Sequence, residues 1–197
     1  AHNHLISLGE VLAMYLLVWS PQPWQQVLAS GGWPAAPELD AQLQQQYQQQ
    51  QQILQQFVDG LPRVRRALAH LPVAMIFDDH DITDDWNLTA AWEQAAYNHD
   101  FSARIIGNAL LGYLMCQGWG NCPEAFSADL LQQVQQVLAQ PGQNLHDKLL
   151  QQLFRFNQWQ YQWPTEPPLL VLDTRTQRWR SERSLESPSG LMDWEAI

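Results

Sequence analysis

Leu8, Val11, Leu12, Tyr15, Leu16 and Trp19 recur at helical spacing, and Ser7 and Glu10 stand in front of them as a capping box. Almost no charge lies within this stretch, so a helix buried on most sides is predicted. Ser20-Pro21-Gln22-Pro23 should end it, and Ser30 through Pro37, with two glycines and two prolines, reads as a loop. Leu43, Tyr47, Leu54, Phe57 and Leu61 then share one stripe, with Gln50 at the missing step. This predicts a solvent-covered helix over residues 38 to 60, stopped by Gly60 and Pro62. Arg63, Arg65 and Arg66 fall on a short further helix ending near His70, as a solvated or salt-bridged face.

The pattern changes at Val73-Ala74-Met75-Ile76-Phe77, an apolar run short enough for a buried strand. Helical spacing returns after it. Thr89 or Asn87 caps a helix through about Tyr97. Ser102 caps one through Leu114 that breaks at Gly118-Trp119-Gly120-Asn121. Ser127 caps a third, stopped by Pro141-Gly142, and Asn144 a fourth ending near Phe156. The period then becomes two: Trp159, Tyr161 and Trp163 alternate with glutamines, and Leu169 to Leu172 form a second apolar strand. The predicted organisation is helical over 1–70, strand plus acidic motif over 73–87, helical over 88–157, and two strands with a polar tail over 158–197. That order fits an α/β fold carrying a large, mainly helical excursion.

Composition changes the picture at a few points. Eleven of the 15 residues from Gln42 to Gln56 are glutamine, which by composition alone suggests disorder. The apolar stripe and the good helix propensity of glutamine argue for helix instead. The formal net charge is −10, so phosphate-led binding of nucleic acid is excluded as a main activity, as is attraction to an anionic membrane. The longest apolar run, Val11 to Trp19, cannot span a bilayer, and it lacks the basic flank of a signal peptide. Cys116 and Cys122 are too few for a disulfide framework. With no export signal in view, they point to the cytoplasm. A start at Ala1 and an end at Ile197 beside a turn-rich stretch suggest an excised fragment, whose missing N-terminus would be the place for such a signal.

One segment is chemically loaded. Asp78, Asp79, Asp81, Asp84 and Asp85 place five carboxylates within eight residues, with His80 among them. Their mutual repulsion is costly unless water, protons or cations relieve it. The cluster directly follows an apolar strand, and strand ends are where open α/β sheets present ligands. Hard oxygen donors beside one imidazole suit Mg²⁺, Ca²⁺, Mn²⁺ or iron. The bland reading is an acidic cap on the following helix, which suits Asp84 and Asp85 better than Asp78 to Asp81.

The stretch Val73 to Asn87, with Phe77-Asp78-Asp79-His80-Asp81-Ile82-Thr83-Asp84-Asp85-Trp86-Asn87 at its heart, resembles the ligand segment of the alkaline phosphatase D-like proteins. These belong to the calcineurin-like metallophosphatase superfamily. Leu8 to Ser20 and Leu172-Asp173-Thr174-Arg175-Thr176-Gln177-Arg178, with Ser189-Gly190-Leu191-Met192, agree with that family more loosely. The resemblance implies the central fragment of a metallophosphatase-type β-sandwich that hydrolyses small phosphate esters. It sets Asp79 where the superfamily's metal-binding asparagine stands, and Asp78 at a neighbouring glycine's place as a second candidate ligand. His80 falls at the catalytic histidine and Asp81 at the acid that orients it. Arg175 is a candidate substrate-binding residue that offers a fork of N–H donors to a phosphate or pairs with Asp173, or else an arginine that holds strand ends together. The implied cofactor is a pair of divalent ions. The family's remaining ligands would lie before residue 1 and after residue 197, so the chain alone is expected to be inactive without the rest of its parent. The alternative is a non-catalytic helical binding module, built on the ten tryptophans and the glutamine-rich helix.

Overall fold

The structure, a computed structural model, describes residues 4–33 and 39–194. Pro34 to Pro37 of the expected loop lie outside the described residues. The described chain is mixed and mainly helical, with a single two-stranded antiparallel sheet. It forms two compact units, one of residues 4–11 and 74–194 and one of residues 12–33 and 39–73.

Helix α1 spans Leu8–Trp19. The expected capping box is present: the Glu10 carboxylate accepts the backbone N–H of Ser7 at 2.8 Å and of Ile6 at 2.9 Å, and Ser7 Oγ accepts the Glu10 N–H at 3.2 Å. Burial is narrower than expected. Only Val11 and Tyr15 are buried, while Leu16 faces solvent. A scarcity of charge therefore did not mean burial on most sides. The prolines after Ser20 end α1 and also start α2, Pro21–Ala29, where Pro21 sits in the first turn and needs no N–H partner.

The glutamine-rich stretch is helix α3, Ala41–Leu68, capped by Asp40, whose side chain accepts the Leu43 N–H at 2.9 Å. It corrects the expected stop, because the helix runs through Gly60 and Pro62 into the arginines. Leu61 is fully buried and Val58 is buried one turn before it. Burial of side chains like these is worth roughly 1.5–3 kcal/mol each, enough to offset a cost of about 3 kcal/mol for the interior proline.

The expected strand at Val73 to Phe77 does not form: the segment has no regular secondary structure and pairs with no strand among the described residues. The Met75 carbonyl instead accepts from Tyr161 Oη at 2.7 Å, Asn121 Nδ2 at 2.8 Å and Tyr113 Oη at 3.3 Å. Side chains thus satisfy the backbone where a ladder was expected. Next come α4, Asp79–Ile82; α5, Ala90–Tyr97; and α6, Asp100–Tyr113. Thr89 is the cap of α5, its Oγ1 accepting the Trp92 N–H at 3.0 Å. Ser102 does not cap α6, which begins two residues earlier after His99. The expected break over Gly118-Trp119-Gly120-Asn121 falls at its far end: a π-turn over Leu114–Gly118 carries the helix into α7, Trp119–Asn121, where it stops. A Cβ at Gly118 would meet Tyr113 at 3.1 Å and Phe126 at 3.3 Å, so this glycine serves close packing.

Helix α8, Ala128–Ala139, is capped by Ser127 as expected, and α9, Gln143–Leu153, follows a cap at Gly142 rather than Asn144. Strands β1, Tyr161–Trp163, and β2, Leu169–Val171, pair with Tyr161 opposite Val171. Trp159 stays outside the ladder as a buried core residue. The core lies between α6, α8 and α9. On it Phe77 meets Trp86, Tyr113 and Trp159 edge-on at 5.1, 4.7 and 5.5 Å. Phe77 therefore anchors the acidic motif, which begins with the next residue.

Candidate functional site

The acidic motif turns the chain sharply. Asp78 precedes α4, and the Asp81 carboxylate reaches back to accept the Asp78 N–H at 2.8 Å. Asp81 is thus engaged in closing the one-turn helix. His80 is faced instead by Asp84, with Nδ1 3.7 Å from Oδ1, an ion-pair separation too long for a hydrogen bond. The His80 side chain is 83% exposed. Asp85 and Asn87 then adopt left-handed backbone, φ 59° and 58°, a region in which Asp and Asn are enriched among residues bearing a Cβ. These two positions swing the chain from α4 into α5.

The turn after β2 comes to the same corner. Asp173 is fully buried and accepts the backbone N–H groups of Arg175 at 3.0 Å and Thr176 at 2.8 Å, together with the Thr176 hydroxyl. This Asx-type turn aims Arg175 at the acidic motif. The guanidinium bonds Asp78 through Nε, at 2.8 Å, and through Nη2. Nη2 also lies 2.9 Å from Asp79 Oδ1. The Arg175 and Asp79 side chains are 13% and 16% exposed, that of Asp78 58%. A backbone N–H from Asp79 is the main cause that holds the Asp78 carboxyl below its ordinary range; burial opposes it, and the Arg175 hydrogen bond and charge add to the lowering.

Behind Arg175 lies a polar network. Trp86, fully buried, donates its indole N–H to Tyr97 Oη at 3.0 Å, and Tyr97 donates to Asn87 Oδ1 at 3.2 Å. Asn87 Nδ2 closes the chain on the Arg175 carbonyl at 3.1 Å. Burial pushes the Tyr97 phenol up, so it stays a neutral donor. The polar tail seals this corner: Ser189 N–H bonds the Leu88 carbonyl at 2.8 Å, and Arg178 donates to the carbonyls of Thr174 and Ser189 at 3.3 and 3.1 Å.

Asp78, Asp79 and Arg175 are therefore brought together, whereas His80 stands on the exposed side of α4 and Asp81 turns back on the chain. Arg175 meets Asp78 and Asp79, not the Asp173 carboxylate, which binds its backbone. Sequence reasoning missed the supporting roles of Trp86, Asn87 and Tyr97. Their spacing carries no motif, although the Asp-x-Asn pair at 85 and 87 is a signal for two left-handed positions. Among the described residues no group of three or more His, Cys, Asp or Glu side chains is arranged to hold a metal ion. Two carboxylates already sharing a guanidinium do not by themselves make a metal centre. No described helix is long and apolar enough to cross a membrane. The chain matches no family model, no curated protein and no solved structure among those compared.

Proposed function

We propose that this chain is the central part of a metal-dependent phosphate-ester hydrolase of the alkaline phosphatase D-like kind, inactive without the rest of its parent. The observation that carries the reading is the convergence of Asp78, Asp79 and Arg175, 97 residues apart in sequence, where two apolar segments run out. Asp79 supplies a hard oxygen ligand there, and Arg175 lies against it. In this reading His80, exposed on α4, gives a proton or hydrogen bond to the leaving oxygen of a substrate. Divalent ions (Ca²⁺, Mn²⁺, Mg²⁺ or iron) supply phosphoryl clamping and water activation when bound, with their remaining ligands coming from other polypeptide. A wider β-sandwich suits the unpaired segment at Val73 to Phe77 and the exposed Leu169 and Leu170 of β2, which are sites where further strands can add.

A second reading, a helical binding module, draws on Leu43, Ile53, Leu54, Phe57 and Val64, all exposed on α3. One set of assays separates the two. In the complete polypeptide, Asp79→Asn and His80→Ala each lower aryl phosphate hydrolysis with Mn²⁺ or Ca²⁺ by about a hundredfold or more at unchanged circular dichroism. The 197-residue chain alone gives little turnover. A complete polypeptide that hydrolyses no aryl phosphate would favour the binding module and end the enzyme reading, whereas hydrolysis at wild-type rates in both variants would end the assignment of the site to Asp79 and His80.

A further inference from the structure

We propose that the exposed apolar stripe of α3 is a self-association surface, on which a second copy of this chain lays its own α3 antiparallel. The proposal concerns the smaller unit and stands apart from the hydrolase reading. Helix α3 buries Val58 and Leu61, but Leu43, Ile53, Leu54, Phe57 and Val64 are each 40 to 56% exposed. On a regular helix these five fall within about 100° of arc, the width of stripe that a helix normally packs away from water. A contiguous apolar strip of this length marks an interaction site.

Its spacing points to another helix as the occupant. Leu43, Gln50, Ile53, Phe57 and Val64 follow the three-and-four steps of a coiled-coil seam, with Gln46 and Gly60 at the remaining positions. From Leu43 to Val64 the seam runs about 33 Å at 1.5 Å per residue. It also reads the same in reverse. Ile53 and Leu54 lie at its centre, with Leu43 ten residues before Ile53 and Val64 ten after Leu54. A two-fold axis through that centre sets Leu43 of each copy against Val64 of the other, and Ile53 against Leu54. That is the self-complementarity a closed, symmetric contact requires. Phe57 then falls opposite Gln50, a polar seam position that fixes register at a cost in affinity.

Charge decides the direction. Asp40 caps the N-terminal end of α3, and Arg63, Arg65 and Arg66 stand towards its C-terminal end. A parallel pair would stack the two arginine clusters on each other, whereas the antiparallel pair brings each cluster to the Asp40 end of the other copy. The acidity of the chain does not oppose contact here. Residues 12–73 hold Glu38, Asp40 and Asp59 against the three arginines, which cancel, so the formal charge of −10 falls on the remainder. The glutamines along the rest of α3 offer no positive charge to an anionic lipid surface.

Sedimentation equilibrium of the complete polypeptide tests the proposal, with circular dichroism as the check on folding. At about 100 μM, where a micromolar pair is mostly formed, the wild type runs at twice its chain mass. Ile53→Glu and Phe57→Glu each weaken the pair about tenfold or more. Gln52→Glu, exposed on the far side of α3, leaves the mass unchanged. Direction is read by cross-linking under mild oxidation in a Cys116→Ser, Cys122→Ser background. Leu43→Cys and Val64→Cys link to each other in a mixture, and neither links to itself. Should a glutamate variant not fold, the cross-linking carries the test. Self-linking of Val64→Cys overturns the antiparallel arrangement. A dimer that both glutamate variants leave intact overturns the assignment to this face. A wild-type monomer overturns the proposal: binding to phosphatidylcholine vesicles that is lost in Phe57→Glu would then give the stripe to lipid, and no vesicle binding would leave it to a different protein.

Discussion

Gly107 lies on α6 against Leu150 of α9. A Cβ built there would sit 2.5 Å from Leu150 Cδ1 and 2.9 Å from both its Cδ2 and Cγ. Three atoms inside van der Waals contact cannot be relieved by a methyl rotation, so the whole Leu150 side chain has to move. Leu150 is buried, and its neighbours Leu149 and Leu153 are too, so it moves only into occupied space. Overpacking of this kind costs about 1–3 kcal/mol, while replacing a helical glycine with alanine returns roughly 1 kcal/mol of helix propensity. Gly107→Ala is therefore expected to destabilise the chain by up to about 2 kcal/mol, seen as a lower urea midpoint at an unchanged slope.

The sign should invert in a second background. Leu150→Ala alone costs about 2–5 kcal/mol by leaving a cavity. The methyl of Gly107→Ala then points into that cavity, so Gly107→Ala becomes stabilising when Leu150 is already alanine. A double-mutant cycle measures the difference as a coupling energy. Gly107→Ala that stabilises the otherwise wild-type chain, or a cycle with no coupling, would refute the contact between α6 and α9 as described.

Three further outcomes follow from the geometry. Trp86→Phe keeps the ring on Phe77 but removes the indole donor to Tyr97, and should cost about 1 kcal/mol in denaturant titration; no loss would mean that the network behind Arg175 contributes nothing. His146 accepts from Arg104 at 2.8 Å, and burial, then the Arg104 charge, hold its pKa below the ordinary 6.5. The folded state thus disfavours protonation: the contribution is complete above about pH 6.5 and is lost as pH falls below it through the lowered pKa. His146→Gln should therefore flatten the decline in stability from pH 7 to pH 5; an equal slope in both proteins would contradict this assignment. Arg180, which pairs with Glu93 from an exposed position, is expected to be dispensable: Arg180→Ala should shift stability by less than about 1 kcal/mol, and a larger loss would show that the ion pair helps to fix the tail.

Much of the larger unit was legible locally. Ser7 with Glu10, Thr89 and Ser127 all cap helices where the pattern placed them, because a cap needs only a side-chain oxygen and a nearby N–H. The alternation at Tyr161 and Trp163 and the apolar run at Leu169 named the two strands that pair. Failures fell where distant contacts outweighed local preference. Pro62 and Gly60 read as a stop, but burial at Val58 and Leu61 carries α3 through. The break read over Gly118 to Asn121 falls only at its last residue, while Gly118 itself stays helical and packs closely against Tyr113 and Phe126. Val73 to Phe77 read as a buried strand, yet no strand forms there, and side chains from α7, β1 and the end of α6 satisfy the Met75 carbonyl.

At the candidate site the same division holds. Sequence alone determined that five carboxylates crowd after an apolar run, a repulsion for water, protons or cations to relieve, since that crowding depends on spacing along the chain. Which cation meets them within this chain, and which aspartates it touches, depended on the turn after β2 reaching back across 97 residues. That return is set by the buried Asp173 turn, the left-handed pair at Asp85 and Asn87, and the network through Trp86 and Tyr97. These contacts join residues far apart in sequence, and no local periodicity encodes them; only the packing of the folded chain assigns Arg175 to Asp78 and Asp79.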